Sequence, residues 1–186
     1  NLEVIVMTYN LNDHNKKQNK IVCESLREAL IILMNEKNYY KISISELCMK
    51  AGVLRMAFYN NYESKDDLLR QIIFFQTNLL IDKIGSPFRE KTGIEWYIKM
   101  FEYVKEDNMY LKTIFKANFK FEYLSAINDL VLHDDSIAAT EKYLRLMWTG
   151  GVVNTIIYWL ESNMKEPIIE MANFCYNNLS VWTNIH

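Results

Sequence analysis

From Lys16 onward, apolar residues recur three and four positions apart, and that spacing predicts helices nearly throughout. Val22, Leu26, Ala29, Leu30 and Leu33 share one helical face, and the polar cluster Asn35-Glu36-Lys37-Asn38 ends it. Ser43-Ile44-Ser45-Glu46 reads as a capping box, with a hydroxyl to accept a backbone N–H and a carboxylate three residues on to reach back. About two turns of helix follow, to Lys50. Gly52 then supplies a turn residue free to be left-handed, and a second short helix covers about Leu54 to Asn60. Ser64-Lys65-Asp66-Asp67 repeats the start signal for a long helix to about Ile84, which Gly85-Ser86-Pro87 stops.

The second half opens with a third Ser/Thr-x-x-acid signal, Thr92-Gly93-Ile94-Glu95. Its helix carries Trp96, Tyr97, Met100, Phe101, Tyr103 and Val104, and Asp107-Asn108 breaks it. Helices are expected next around Tyr110–Phe115, from Phe119 to Leu132, from Ala138 to Asn163, and from Pro167 through Trp182. Proline suits that last start because its missing N–H is unneeded in a first turn. The expected organisation is an N-terminal extension (1–15), a three-helix unit (16–65), a connecting helix (66–85) and a helical C-terminal domain (86–186).

Composition agrees with an all-α chain that has a real core. Of 186 residues, 50% are hydrophobic and 13% aromatic, which excludes a disordered tail. Five glycines and two prolines are too few to punctuate a β-sandwich or barrel. The formal charge is −2, so the molecule as a whole is no polycation. Its distribution is uneven: nine Lys/Arg face five acids from His14 to Lys65, whereas beyond Gly85 thirteen acids face ten bases. A basic head on an acidic body suits a polyanionic partner at one end. Cys23, Cys48 and Cys175 are isolated and odd in number, as expected of free thiols in a reducing cytoplasm. No apolar run reaches the ~18–20 residues of a membrane span. The Leu2–Met7 stretch is too short for a signal peptide, and the residues ahead of Met7 are read as a start-site artefact.

Catalytic signatures are missing. Three scattered histidines (His14, His133, His186) make a His-based metal site or triad improbable, and no Gly-rich phosphate loop, G-x-S-x-G or H-E-x-x-H occurs. Asp66-Asp67 and Asp134-Asp135 read as a helix start and a loop. The expectation is a non-enzyme without cofactor or metal. Two short helices across a glycine turn form instead a helix-turn-helix pattern. Arg55 suits a guanine edge and Asn60 an adenine. Tyr59, Asn61 and Lys65 suit phosphates, and Phe58 and Tyr62 form the inward face.

The stretch Lys16 to Leu69, above all Ala51-Gly52-Val53-Leu54-Arg55-Met56-Ala57-Phe58-Tyr59-Asn60-Asn61-Tyr62-Glu63-Ser64-Lys65-Asp66-Asp67-Leu68-Leu69, resembles the DNA-binding domain of the TetR family of bacterial transcriptional regulators. A glycine turn, a short helix ending Phe-Tyr-x-x-aromatic, and Ser-Lys-acid-x-Leu carry the likeness. Trp148 to Ser162, with its Gly150-Gly151 pair, resembles the penultimate helix of Gram-positive members. The resemblance implies an all-α protein of about nine helices: an N-terminal helix-turn-helix domain and a larger C-terminal effector-binding and dimerisation domain. It places Ser43 and Ser45 at phosphate contacts, Leu54, Arg55, Met56, Ala57 and Asn60 facing bases, and Tyr59, Asn61 and Lys65 on phosphates. Leu54 and Ala57 stand where the family often has hydroxyls, and Asn61 replaces a frequent histidine. Apolar side chains there suit thymine methyl groups, so an A·T-rich operator with guanine readout through Arg55 is expected.

The resemblance further implies a homodimer built from the last two helices, since paired half-sites about one DNA turn apart require one. Trp148, Gly150, Gly151, Val152, Thr155, Trp159, Met171, Phe174, Cys175 and Trp182 are the interface candidates. Trp96, Met100, Phe101, Tyr103, Tyr110, Phe115, Phe119 and Tyr123 are the effector-pocket candidates, although such a stripe is more often plain core. They suit an apolar or aromatic small molecule, and nearby Glu95, Glu102 and Glu122 extend that to a cationic one. Repression of transcription is the default expectation. The rival is a TetR-like activator or co-regulator working mainly through protein partners, with weak DNA contact.

Overall fold

The computed structural model describes residues 2–88, 92–133 and 136–183, and their side chains except those of 2–14 and 182. Nine α-helices and two short 3₁₀ turns make up the regular structure among these residues. The chain divides into two compact units, 1–69 and 70–186.

The first unit holds α1 (Leu2–Glu36), a 3₁₀ turn (Tyr39–Lys41), α2 (Ile44–Ala51), α3 (Arg55–Tyr59) and the start of α4 (Lys65–Ile84). α1 packs on α2, and α2 on α3. Leu26, Leu30, Leu47, Phe58, Leu68 and Leu69 are fully buried and form the core. Gly52, at φ +68°, ends α2 with a Schellman motif: the Val53 N–H donates to the Cys48 carbonyl (3.0 Å) and the Gly52 N–H to that of Met49 (3.2 Å). That turn sets the direction of α3. At the start of α2, Ser43 Oγ accepts from the Glu46 N–H at 3.2 Å. The Glu46 carboxylate pairs with Lys37. At the start of α4, Ser64 Oγ accepts from the Asp67 N–H (3.0 Å), and Asp67 Oδ2 accepts from the Glu63 N–H (3.0 Å).

The second unit continues α4 from Arg70 and adds α5 (Ile94–Glu106), α6 (Asn108–Lys116), α7 (Lys120–Leu132), α8 (Ala139–Glu161) and α9 (Ile168–Leu179). α5 packs on α9, α7 and α6 on α8, and α8 on α9. Its centre is aromatic and internally bonded. Trp148 Nε1 donates to Tyr97 Oη at 3.0 Å, and Trp159 Nε1 to the Glu166 carbonyl at 2.9 Å. Phe101 meets Trp159 edge-on at 5.1 Å. Burial pushes the Tyr97 hydroxyl up to about 12 and the Cys175 thiol likewise to about 12.

The capping box expected at Thr92 does not form. α5 begins after Gly93 without a side-chain cap, and the buried Thr92 hydroxyl donates to the Pro87 carbonyl, tying down the loop after α4. Two other helix ends use asparagine where a glycine is common. Asn118 (φ 66°) follows α6 and Asn163 (φ 61°) follows α8. In each case the next residue's N–H reaches back, Phe119 to Ile114 (3.2 Å) and Met164 to Trp159 (2.8 Å). Asparagine tolerates the left-handed region better than most residues.

Candidate nucleic-acid interface and effector cavity

Helix α3 has two faces set by what it is built on. Phe58 is fully buried and Tyr62 nearly so, their rings 5.7 Å apart. With those side chains inward, Leu54 and Met56 are thrust outward, 80% and 74% exposed, and Tyr59 is 52% exposed. Arg55 and Asn60 are exposed beside them, and Ala57 is half-buried. Ser43 and Ser45 are exposed at the start of α2. The base-facing set predicted from sequence is therefore together on one surface. Met49 (77%) and Tyr40 (66%) extend it. Sequence reasoning missed both, because Met49 lies in a two-turn helix and Tyr40 in a 3₁₀ turn that apolar spacing does not reveal.

Two predicted phosphate contacts are held inside the unit instead. The Lys65 ammonium donates to the Tyr39 and Ile42 carbonyls at 2.7 and 2.8 Å and lies 4.1 Å from the Tyr39 ring centre. It thus closes the 3₁₀ turn, and burial lowers its pKa. Asn61 donates to the Ala57 carbonyl at 2.8 Å, and its oxygen accepts from Asn19 of α1 (2.9 Å) and the Cys23 thiol (3.4 Å). Both residues position α3 and the turn before α2. Other bases are neutralised nearby: Lys37 pairs with Glu46, and Lys50 with Glu36 at 3.2 Å. The Lys37 hydrogen bond holds the Glu46 carboxyl below its ordinary value.

The effector candidates are mostly core of the second unit. Met100, Phe101, Tyr110, Phe115, Phe119 and Tyr123 are buried, and Trp96 and Tyr103 half-buried. Trp96, Met100 and Tyr123 border a cavity of about 30 Å³, closed on its other sides by residues such as Ile127, Trp148 and Ile156. Phe101 instead packs on Trp159, Phe115 on Tyr123 (5.4 Å), and Tyr103 lies under the Lys83 ammonium (5.1 Å). Tyr110 is buried with no partner for its hydroxyl, and burial raises its pKa and that of Asp107.

The interface candidates separate into two groups. Trp148, Val152, Trp159 and Cys175 are buried within the protomer itself; their apolar spacing reflects intramolecular packing. Gly151 also serves the protomer, since a Cβ there would sit 3.0 Å from Leu179 of α9. Thr155 and Met171 are half-buried and Phe174 is exposed. These three border a groove of about 630 Å³ between α8 and α9 that also meets Tyr158 and Glu170. Gly150 has nothing within 4 Å of the place a Cβ would take. The Trp182 side chain lies outside the described residues. Among the described residues, no helix is long and apolar enough to cross a membrane.

Two protein-family models match the chain. One, described as bacterial regulatory proteins of the tetR family, covers residues 26–72, and one described as a transcriptional regulator C-terminal region covers residues 92–180. The HTH-type dhaKLM operon transcriptional activator DhaS of Lactococcus lactis subsp. lactis is 24% identical over 135 residues, 73% of this chain and 71% of that protein. Among solved structures, a TetR transcriptional regulator from Streptococcus agalactiae 2603V superposes with a TM-score of 0.63 at 18% identity, covering 90% of this chain and 98% of that one. The dihydroxyacetone kinase operon activator DhaS gives 0.59 at 18% identity, covering 87% and 96%. With matches to both halves and a shared all-helical fold, the chain belongs to the TetR family of bacterial regulatory proteins.

Proposed function

We propose that this regulator binds a palindromic DNA operator as a homodimer through α2 and α3, and that a small molecule in the second unit controls that binding. The observation that carries the reading is the outward face of α3. Leu54, Arg55, Met56, Tyr59 and Asn60 project from a helix anchored by Phe58 and Tyr62. Large apolar side chains exposed together mark an interaction surface, and Leu54 and Met56 suit thymine methyl groups while Arg55 suits guanine. Ser43, Ser45, Tyr59 and Lys41 are the positions from which phosphates are reached. For the dimer, Tyr143, Met147, Asn154 and Tyr158 form one exposed stripe along α8, with Gly150 at its middle. Phe174 and the α8–α9 groove adjoin it.

The effector cavity of about 30 Å³ holds about one water. A small apolar or aromatic effector therefore binds only a state in which Trp96 or Met100 has moved, and its differential affinity is what shifts the population. Repression is the default outcome. One observation favours a second reading, activation with help from protein partners: the Lactococcus relative is named an activator, and Leu54 and Ala57 reduce the polar contacts of α3.

Operator selection from random duplex DNA, with wild type beside Tyr59→Ala and light scattering on both, tests the reading. A palindromic motif enriched by a wild-type dimer and lost in the variant is expected, with affinity falling steeply as salt rises. A folded dimer that enriches nothing at any salt overturns direct operator binding and leaves the partner-dependent reading.

A further inference from the structure

We propose that the groove between α4 and α7 in the second unit is a separate binding site for a protonated primary or secondary amine carried on an aromatic or apolar body. The groove measures about 470 Å³, with Arg70 and Phe74 on α4 facing Phe121, Glu122 and Asp129 on α7. That volume lies within the range of small-molecule sites. Its lining shares no residue with the effector cavity.

Three features define the ligand. Glu122 Oε2 is shut off from solvent and accepts no hydrogen bond. A carboxylate oxygen in that position lacks the donor that normally offsets its desolvation, and a charged N–H is the strongest donor available. A quaternary ammonium has no proton to give, so the amine must carry N–H. Phe74 and Phe121 are 50% and 75% exposed, offering ring faces to an apolar body and to the cation. The charged groups facing the groove are Glu122, Asp129 and Arg70, and among the described residues none of them is ion-paired. Two carboxylates against one exposed guanidinium leave the groove net negative, which selects a cation over an anion. α4 also runs from the first unit into the second, so a ligand bridging Phe74 and Glu122 fastens the helix that both units share.

Isothermal titration of the whole chain with phenethylamine, phenethyl alcohol and hydrocinnamate tests the site, since the three share a shape and differ in charge. The amine is expected to bind one per protomer and at least tenfold more tightly than the alcohol. Glu122→Gln, which keeps the shape, should weaken the amine at least tenfold and leave the alcohol unchanged, with circular dichroism confirming the fold. Phe121→Ala, at an exposed position, should weaken both amine and alcohol. Equal affinity for amine and alcohol, tighter binding of hydrocinnamate, an amine affinity unchanged in Glu122→Gln, or no heat from the amine at millimolar concentration would each overturn the proposal.

Discussion

Replacing each member of the Gly150-Gly151 pair with alanine should have opposite effects. Both glycines sit inside α8, where Gly→Ala gains about 0.5–1 kcal/mol through the unfolded chain's lost freedom. Nothing lies within 4 Å of the Cβ position at Gly150, so Gly150→Ala should realise that gain. For a chain this long it raises Tm by about 2–4 °C per kcal/mol. At Gly151 the new methyl would meet Leu179 Cδ2 at 3.0 Å and Cδ1 at 3.6 Å. Leu179 is buried, so it shifts against its neighbours at about 1–3 kcal/mol. Gly151→Ala should therefore end neutral to about 2 kcal/mol destabilised.

The cause is separable by a double-mutant cycle. Leu179→Ala alone costs about 2–5 kcal/mol. In that background the obstruction is gone, and Gly151→Ala should stabilise as Gly150→Ala does, giving a coupling near 1 kcal/mol or more. Urea unfolding followed by circular dichroism at one protein concentration is the assay, because dimerisation makes stability depend on concentration. Equal effects at the two glycines, or strict additivity with Leu179→Ala, would refute the packing argument. A Gly150→Ala variant whose loss of stability grows with concentration would show instead that a partner copy lies over Gly150.

Asn61→Ala should cost about 1 kcal/mol and weaken operator binding in the gel-shift assay, because it unlinks α3 from Asn19 and Cys23 of α1. Tyr97→Phe leaves the buried Trp148 N–H without its acceptor and should destabilise by about 1–3 kcal/mol in thermal unfolding, more than an ordinary hydroxyl deletion. The Glu46 carboxyl titrates below its ordinary value of 4.5 in the folded chain because Lys37 bonds it. Its contribution is thus present above that value and lost as pH falls toward the folded one. Lys37→Met should flatten stability against pH in that acid window and change little at neutral pH.

Helix positions were readable from the sequence because each amphipathic segment repeats its apolar residues with one period. The ends were less so. Ser43 and Ser64 do cap, since a hydroxyl at N-cap needs only the local backbone. Thr92 has the same spacing to an acid yet bonds Pro87, because its loop offers a nearer acceptor that no local pattern discloses. Asn118 and Asn163 end helices in a left-handed conformation that sequence alone leaves equally open to a solvated polar residue. On α3, Phe58 and Tyr62 were readable as inward, and that fixes which residues must face out. Asn61 and Lys65 were not readable, because their partners lie 42, 38, 26 and 23 positions away.

Helix α8 shows where periodicity stops informing. It carries apolar residues all round, so its pattern cannot say which face meets the protomer's own core and which a partner. Burial separates them: Trp148, Val152, Ile156 and Trp159 point inward, while Tyr143, Met147, Asn154 and Tyr158 point out. The outward set runs at spacings of four, seven and four residues, a stripe that passes through Gly150 between Met147 and Asn154. A two-glycine sequence then divides its labour. Gly151 makes room for Leu179 of the same chain, whereas Gly150 makes room for nothing the chain itself contains. A helix-interior glycine that costs stability without serving its own protomer is what a close helix–helix contact between two copies requires. The α8 stripe, and not the tryptophans that dominate the sequence, is therefore where the dimer contact should be sought.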